Sequence, residues 1–481
     1  MAVEHIDSEN IRMPEPAQVE RAIRLTYIQM MLGAIFAAST GGMFLIGFAI
    51  KLGADNVLLG LMATIPQYFV VFQFLSAYLV ERGVSRKRLT VSFAFMTPLC
   101  WFFIAVIPFF NHAMDKTGRF TALIGVISLV TLSSQFIANA RASWIGDLVP
   151  KERRGRFFGL CGMFAGLVGA FFAIVEGRAL DILQSRGLFA FTGLFFFGAL
   201  FGLASAYFNI PQPDCPLPNG AKRVSLLGVL KETRHNRNFV TLAITHAVMA
   251  LGGIAGPFSA AYCLRDVGMG FFGLGLVNSV GTVAILASAP FWGRLVDRFG
   301  CRPMLILGFS LLAPASCGWF FIPPGAAHRA YWILPCCNLL SGVGSGAVSV
   351  AISTMMYKAS KPQGRAVQFA AYSVFVTLVA APMPLLGGLL VSGLNRAGFP
   401  VDLRLTFYLW GVFMLLAALI ARRLRESDAA PTGELVFEYF PRRLAKLWES
   451  AASLVPFLFA PVQWPGFFSR NVEAEQSEDE D

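Results

Sequence analysis

The stretch LTYIQMMLGAIFAASTGGMFLIGFAI runs from Leu25 to Ile50 without one Asp, Glu, Lys or Arg. About 20 apolar residues carry a helix across the hydrocarbon core of a bilayer, so this run predicts a membrane span. Runs of the same kind follow at 56–80, 89–110, 120–140, 157–175 and 187–210. Six more cover 238–264, 267–293, 303–327, 330–357, 366–395 and 405–421. Twelve spans are thus predicted, the seventh and eighth being separated by Arg265 and Asp266 alone. Composition agrees. Of 481 residues, 56% are hydrophobic and 14% charged, against about 25% charged in a soluble domain. A chain this apolar lacks the polar surface to cover a soluble fold. The same figures exclude a disordered or collagenous chain. Eight cysteines in this length are too dilute for a disulfide scaffold. The predicted class is an all-α, polytopic membrane protein.

Charge gives an orientation. Six acids follow Arg470, so residues 1–470 carry +17 and the whole chain +11. With both termini on one side, the segments on that side hold 29 Lys and Arg and the opposite loops hold 9. Arg141, inside the fourth run, completes the 39. Cytoplasmic loops collect basic residues, so both termini are expected in the cytoplasm and the membrane is expected to be the cytoplasmic (inner) one. The rule also accounts for the basic excess, and no nucleic-acid partner is expected. Residues 1–24 are polar and contain Pro14 and Pro16, so no separate signal peptide is expected and the first span is itself the insertion signal.

The chain divides in the middle. PQPDCPLP opens the basic loop Pro211–Arg237 and cannot be helical. The expected organisation is a cytoplasmic N-terminus (1–24), a six-helix bundle (25–210), a linker (211–237), a second six-helix bundle (238–424) and a tail (425–481). The halves repeat each other. LVERGVSRKR (Leu79–Arg88) follows the second span and LVDRFGCRP (Leu295–Pro303) follows the eighth. RRGRFFG (Arg153–Gly159) opens the fifth span and PQGRAVQF (Pro362–Phe369) opens the eleventh. Parallel six-helix repeats about a membrane-normal axis are one known transporter architecture.

These motifs resemble the major facilitator superfamily over roughly Leu25–Arg425. The hallmark of that family is a Gly-x-x-x-Asp-Arg-x-Gly-x-Arg loop. GRLVDRFGCR supplies it in full, with Gly293, Asp297, Arg298, Gly300 and Arg302. The first-half copy is degenerate: Ala77 and Glu81 replace the Gly and Asp, while Arg82, Arg86, Lys87 and Arg88 remain. DLVPKERRGRFFG (Asp147–Gly159) resembles the family's link between its fourth and fifth helices. The resemblance implies two pseudo-symmetric bundles, with spans 1, 4, 7 and 10 around a cavity. The subgroup it resembles is one of bacterial permeases with no assigned substrate, so it implies transport without naming a cargo. By the family's pseudo-symmetry, Glu81 should approach the start of the eleventh span near Gly364 and Arg365. Asp297 should approach the start of the fifth near Gly155 and Arg156. Asp147 would then partner Arg82 or Arg86. An acid facing a helix N-terminus is favoured by the partial positive charge there. Such contacts would form an inner gate, or would only anchor the loops at the headgroups.

Charges inside spans are costly and point to function. Arg141 lies about 9 Å inside the inner end of the fourth span, counted from Asp147. It is read as an anion-binding group, or as an arginine that snorkels inward or pairs with Asp147 or Glu81. His246 in the seventh span could titrate and couple transport to protons, or sit neutral between helices. Glu176 closes the fifth run beside Arg178. It is a proton site, an outer-gate ion pair or an exposed interfacial residue. The first three spans contain no acid, where proton symporters of the family often carry one. Neutral polar candidates for the cavity are Gln29, Ser39, Thr40, Gln67, Tyr68, Gln135, Asn139, Asn278, Asn338, Gln368 and Tyr372, each alternatively a helix–helix hydrogen bond.

Gly41–Gly42, Gly252–Gly253 and SGVGSG (Ser341–Gly346) predict close helix contacts. Pro382 and Pro384 predict a kink in the eleventh span. Most of the 46 Phe are expected to face lipid. No catalytic motif or nucleotide-binding domain is found, and Cys336–Cys337 has no common metal spacing. No enzyme activity, cofactor or metal is expected. Arg442, Arg443 and Lys446, with Leu444, Leu447 and Trp448, suggest an interfacial helix in the tail, before an acidic end that is expected to be solvated and disordered, with a protein partner as the alternative. The expected function is secondary active or facilitative transport of a small solute by alternating access, with membrane lipid and the solute as partners. A flux-less assembly or sensory factor and a lipid flippase are the alternatives.

Overall fold

The structure, a computed structural model, describes residues 16–82, 84–110, 114–150, 153–214, 234–360 and 365–426. Residues 1–15, the middle of the linker, Gly364 and the tail beyond Glu426 lie outside the described residues, as do the side chains of Glu81, Asn139, Asp147 and Arg365. Twelve helices are long and apolar enough to cross a membrane. The first six are α1 (Ala17–Lys51), α2 (Asn56–Val80), α3 (Arg86–Phe110), α4 (Lys116–Ile145), α5 (Arg154–Arg186) and α6 (Leu188–Tyr207). The second six are α7 (Arg237–Val267), α8 (Phe271–Phe299), α9 (Cys301–Phe321), α10 (Ala327–Ala359), α11 (Val367–Arg396) and α12 (Arg404–Ala421). Away from its ends a helix pairs its backbone groups internally, which hydrocarbon demands. Each set of six forms one bundle. The near face is the one that carries the ends of both bundles' chains, at α1 and α12; the far face is opposite.

The helices break at glycine and proline, and the break at Pro382 is the one that the sequence predicts. In α1 the helix stops at Thr40 and restarts at Gly42. Gly42 has φ +52°, a left-handed conformation that only glycine adopts cheaply. Gly42→Ala is expected to cost about 1 kcal/mol, read as a lower melting temperature of the purified protein. In α2, Pro66 lies in a 3-10 turn over Ile65–Val71. In α11 the helix ends at Ala380 and resumes at Met383, across Pro382. At the end of α7 a π-turn over Tyr262–Val267 carries Arg265 and Asp266 and separates it from α8.

Glycines set the packing of α10. A Cβ on Gly342 would lie 2.5 Å from the Gly281 carbonyl oxygen of α8. One on Gly344 would lie 2.9 Å from that of Gly308 in α9. The glycines of SGVGSG thus let α10 pack backbone to backbone between two neighbours. Aromatic residues fill the far half. Phe48, Trp101 and Phe195 pack within the first bundle, and Tyr262, Trp319 and Phe407 within the second. Phe44 and Phe191 both meet Phe271 of the other bundle, at 6.0 and 5.6 Å between ring centroids.

Candidate functional site: a path between two bundles closed at one face

The bundles touch along α2–α11 and α5–α8, and the contact is tightest toward the far face. Asn56 opens α2, and a Cβ on Gly388 of α11 would lie 2.4 Å from its carbonyl oxygen. One on Gly60 would lie 2.7 Å from that of Pro384. The Leu385 N–H donates to Thr64 Oγ1 at 3.1 Å. Between α5 and α8, a Cβ on Gly177 would lie 2.6 Å from the Phe271 carbonyl oxygen, and one on Gly275 2.7 Å from that of Ala173. Ser279 donates to the Ala170 carbonyl at 3.0 Å. The interface continues to Gly166 against Leu286. Nearer the other end it is gone: a Cβ on Gly155, Gly159, Gly162 or Gly293 would meet nothing within 4 Å. The two bundles are therefore locked at the far face and parted at the near ends of α5 and α8.

Charged side chains cross the closed face at two places. Asp181, near the end of α5, accepts the N–H of Phe271 with one carboxylate oxygen and that of Phe272 with the other, both at 2.9 Å. These are the first amides of α8, which lack intrahelical partners and carry the positive end of the helix dipole. Arg265 of α7 donates to Asn56 Oδ1 of α2 at 3.0 Å. Neither Asp181 nor Arg265 stood out as a site in the sequence, because each needs a partner far along the chain.

The hallmark loop lies at the parted face. Gly300 has φ +89° and turns the chain from α8 into α9. Glu426, just past α12, accepts the N–H groups of Cys301 and Arg302 at 2.8 and 2.9 Å and pairs with Lys358 of α10 at 2.8 Å. Burial alone would raise the Glu426 carboxyl, but the Lys358 ammonium and the two amides outweigh it and hold it below the usual carboxylate range. Asp297 is exposed, and among the described residues it makes no ion pair. The approach of Asp297 to Gly155 and Arg156 is thus not made in this state. Arg156 is exposed and Arg298 lies over the Phe299 ring. In the first bundle Arg82 lies over Tyr78, and Arg86 is buried.

The intramembrane polar residues separate into three groups. Arg141 reaches across to α1, where its guanidinium donates to Gln29 Oε1 and approaches Met30 Sδ at 3.3 Å. Gln29 in turn donates to Ser205 of α6 at 2.9 Å. Of the partners expected for Arg141, Asp147 and Glu81 have side chains outside the described residues. Gln135 accepts from Gln73 at 2.7 Å and ties α4 to α2. In the second bundle, His246 Nδ1 lies 2.8 Å from the Tyr372 hydroxyl. His246 also lines a cavity of about 340 Å³, with Met249, Val348, Ser345, Ser349 and Ser353 among its neighbours. The three serines recur every four residues on one face of α10. That spacing was legible in the sequence, but only Ser345 of the three lay in a motif singled out there, the glycine-rich SGVGSG. The third group is Glu176 with Ser39. Glu176 is 4% exposed, and its Oε1 lies 2.6 Å from Ser39 Oγ of α1. This corrects the reading of Glu176 as an exposed interfacial residue or as the ion-pair partner of Arg178. Arg178 is exposed, with its guanidinium over the Phe272 ring.

Other expected cavity residues bond locally or are placed by burial alone. Thr40 donates to Phe36 O, Gln67 to Ala63 O and Asn338 to Leu334 O, each within its own helix. Asn278 is exposed on α8, and Gln368 is buried on α11.

The model of the Major Facilitator Superfamily matches residues 27–259 and 241–470. The chain belongs to the major facilitator superfamily. Among curated relatives, the multidrug resistance protein MdtG of Proteus mirabilis is 24% identical over 334 residues, covering 62% of this chain and 78% of that one. The multi-drug resistance efflux pump PmrA of Streptococcus pneumoniae is 26% identical over 182 residues, 37% of this chain and 42% of that one. Among solved structures, a bacterial homolog of the human lysosomal transporter Spinster superposes with TM-score 0.62 at 15% identity, covering 87% of this chain and 99% of that one. The nucleoside transporter NupG gives 0.58 at 12% identity, covering 85% and 98%. The two bundles are the pseudo-symmetric halves of the superfamily fold. The chain is a multi-pass membrane transporter of small solutes.

Proposed function

We propose that this superfamily member moves apolar or amphiphilic organic solutes across the cytoplasmic membrane by alternating access, with its near face in the cytoplasm. The observation that carries the reading is the asymmetry of the bundle interface: backbone contact at the far face, open space between α5 and α8 at the near face. The excess of Lys and Arg on the side of the termini supports the orientation. The cavity beside His246 supports the cargo class, because its walls are apolar side chains and serine hydroxyls with one histidine and no fixed charge. The relatives named as multidrug proteins point the same way. Arg141 bonds to α1 and is read as a tie within the first bundle rather than as an anion site. The hallmark loop residues, with Glu81, Asp147 and Arg365 on the facing ends, are read as the inner gate that closes when the far face opens.

The test is flux in liposomes carrying purified full-length protein, with ethidium as the probe. Dye movement at least about fivefold above empty liposomes is expected. His246→Ala combined with Ser349→Ala should raise the half-saturating dye concentration severalfold. Flux of sugars or amino acids but not of the dye would contradict the cargo class.

A further inference from the structure

The Ser39–Glu176 pair needs one more hydrogen than an ionised carboxylate supplies. Ser39 Oγ lies 2.8 Å from the Ile35 carbonyl oxygen and 2.6 Å from Glu176 Oε1. Both separations are those of O–H···O hydrogen bonds. Serine has one hydroxyl hydrogen, and a backbone carbonyl and an ionised carboxylate both only accept. With Glu176 ionised, one of the two contacts would bring acceptors together with no hydrogen between them. With Glu176 protonated, both are satisfied: Glu176 donates to Ser39 Oγ, and Ser39 donates to Ile35 O. Glu176 Oε2 is buried without a partner. A neutral carbonyl oxygen tolerates that far better than half of a carboxylate charge does.

Among the described residues no cation offsets a charge at this position. α1 carries no charged residue between Arg24 and Lys51, α8 none between Asp266 and Arg294, and α6 none along its length. On α5 itself, Arg178 is exposed beside Phe272, and Asp181 accepts the first amides of α8. Asp181 stands five residues beyond Glu176, about 7.5 Å along the helix toward the far face. Next to Glu176, Gly177 lies against the backbone of Phe271. The contact that shuts Glu176 away from far-side water is therefore the same α5–α8 contact that Asp181 latches.

We propose that Glu176 is the proton-binding group of this transporter, holding its proton while the far face is closed and exchanging it with far-side water when α5 and α8 part. The inference rests on the alternating-access reading above. On release the Glu176 O–H bond breaks, the proton passes to water, and the Ser39 hydroxyl turns from Ile35 O to the carboxylate left behind. This gives the chain an acid on α5 in place of the acid its first three spans lack.

The experiment is infrared spectroscopy of the full-length protein in liposomes, which reads a protonated carboxyl directly and needs no solute. Free carboxylic acids are ionised well below neutral pH, so a carboxylic C=O band at neutral pH is the one expected from Glu176. It should vanish in Glu176→Gln and shift to higher frequency in Ser39→Ala. Its deuteration after transfer to heavy water should be at least about tenfold faster in Asp181→Asn, which weakens the latch. A missing band at neutral pH, or a band that survives in Glu176→Gln, overturns the proton site. An unchanged deuteration rate in Asp181→Asn overturns its link to the gate. In the same liposomes, ethidium flux without the band would sink the proton site and leave the transport reading standing. A band without any flux would do the reverse.

Discussion

Gly388→Leu is expected to reduce transport by tenfold or more and to hold the far face open. A Cβ at this position would sit 2.4 Å from the carbonyl oxygen of Asn56 and 2.9 Å from its carbonyl carbon. Both are backbone atoms of α2, which cannot turn aside as a side chain can. Overpacking at such a contact costs about 1–3 kcal/mol. Since α2 and α11 need not touch here when the far face is open, the cost falls on the closed state alone. At the upper end that shifts the balance between the two states by about two powers of ten. Gly393→Leu, in the same helix, is the control: a Cβ there would meet nothing within 4 Å. The check is labelling of Phe44→Cys by a membrane-impermeant thiol reagent added at the far face. The buried Phe44 position should become reactive in Gly388→Leu and stay protected in Gly393→Leu.

Glu426→Ala should destabilise the second bundle by about 2 kcal/mol. The side chain of Glu426 is 6% exposed, and its loss leaves two amides of the α9 start without their acceptor. Most of the effect should come from those amides. Lys358 is half exposed, and its pairing is screened by water. Glu426→Gln, which keeps an acceptor and loses the charge, should therefore cost less. The carboxyl is held below its unfolded value, so its contribution is present in full above that value, near pH 4.3. It is lost as pH falls through the lower folded value. The gap in melting temperature between wild type and Glu426→Ala should be widest at pH 7 and should narrow in acid by the share that the charge contributes, the neutral carboxyl still accepting the two amides. A constant gap down to pH 3 would mean that the charge contributes nothing.

What could be read from the sequence follows from the range of the interactions involved. Spans were legible because hydrocarbon selects unbroken apolar runs, and every predicted span has its helix. Local backbone chemistry was legible in part: Pro382 breaks α11 where a kink was expected, whereas Gly41–Gly42, expected to make a close helix contact, instead breaks α1, and a Cβ on Gly42 would meet nothing within 4 Å. The hallmark loop was legible as a turn between α8 and α9, whereas the acid that holds its amides, Glu426, lies more than 120 residues away. Burial of Glu176 was not legible. It depends on Ser39, 137 residues earlier, and on the approach of α8. Asp181 looked like one more acid at a helix end until α8 was placed with its first two amides against it. The state of the gate was beyond any reading of one chain, because the same residues serve the open and closed arrangements.

Alternation between two faces is the central claim, and paired distance measurements test it most directly. Spin labels at Arg156→Cys and Arg294→Cys would report the near face; labels at Gln184→Cys and Arg329→Cys would report the far face. All four positions are exposed. The background would carry serine at Cys317, Cys336 and Cys337. In liposomes, Gly388→Leu is predicted to shorten the near-face distance and lengthen the far-face one together, relative to the same labels without it. Distances that stay fixed at both faces, or that lengthen at both, would contradict the account.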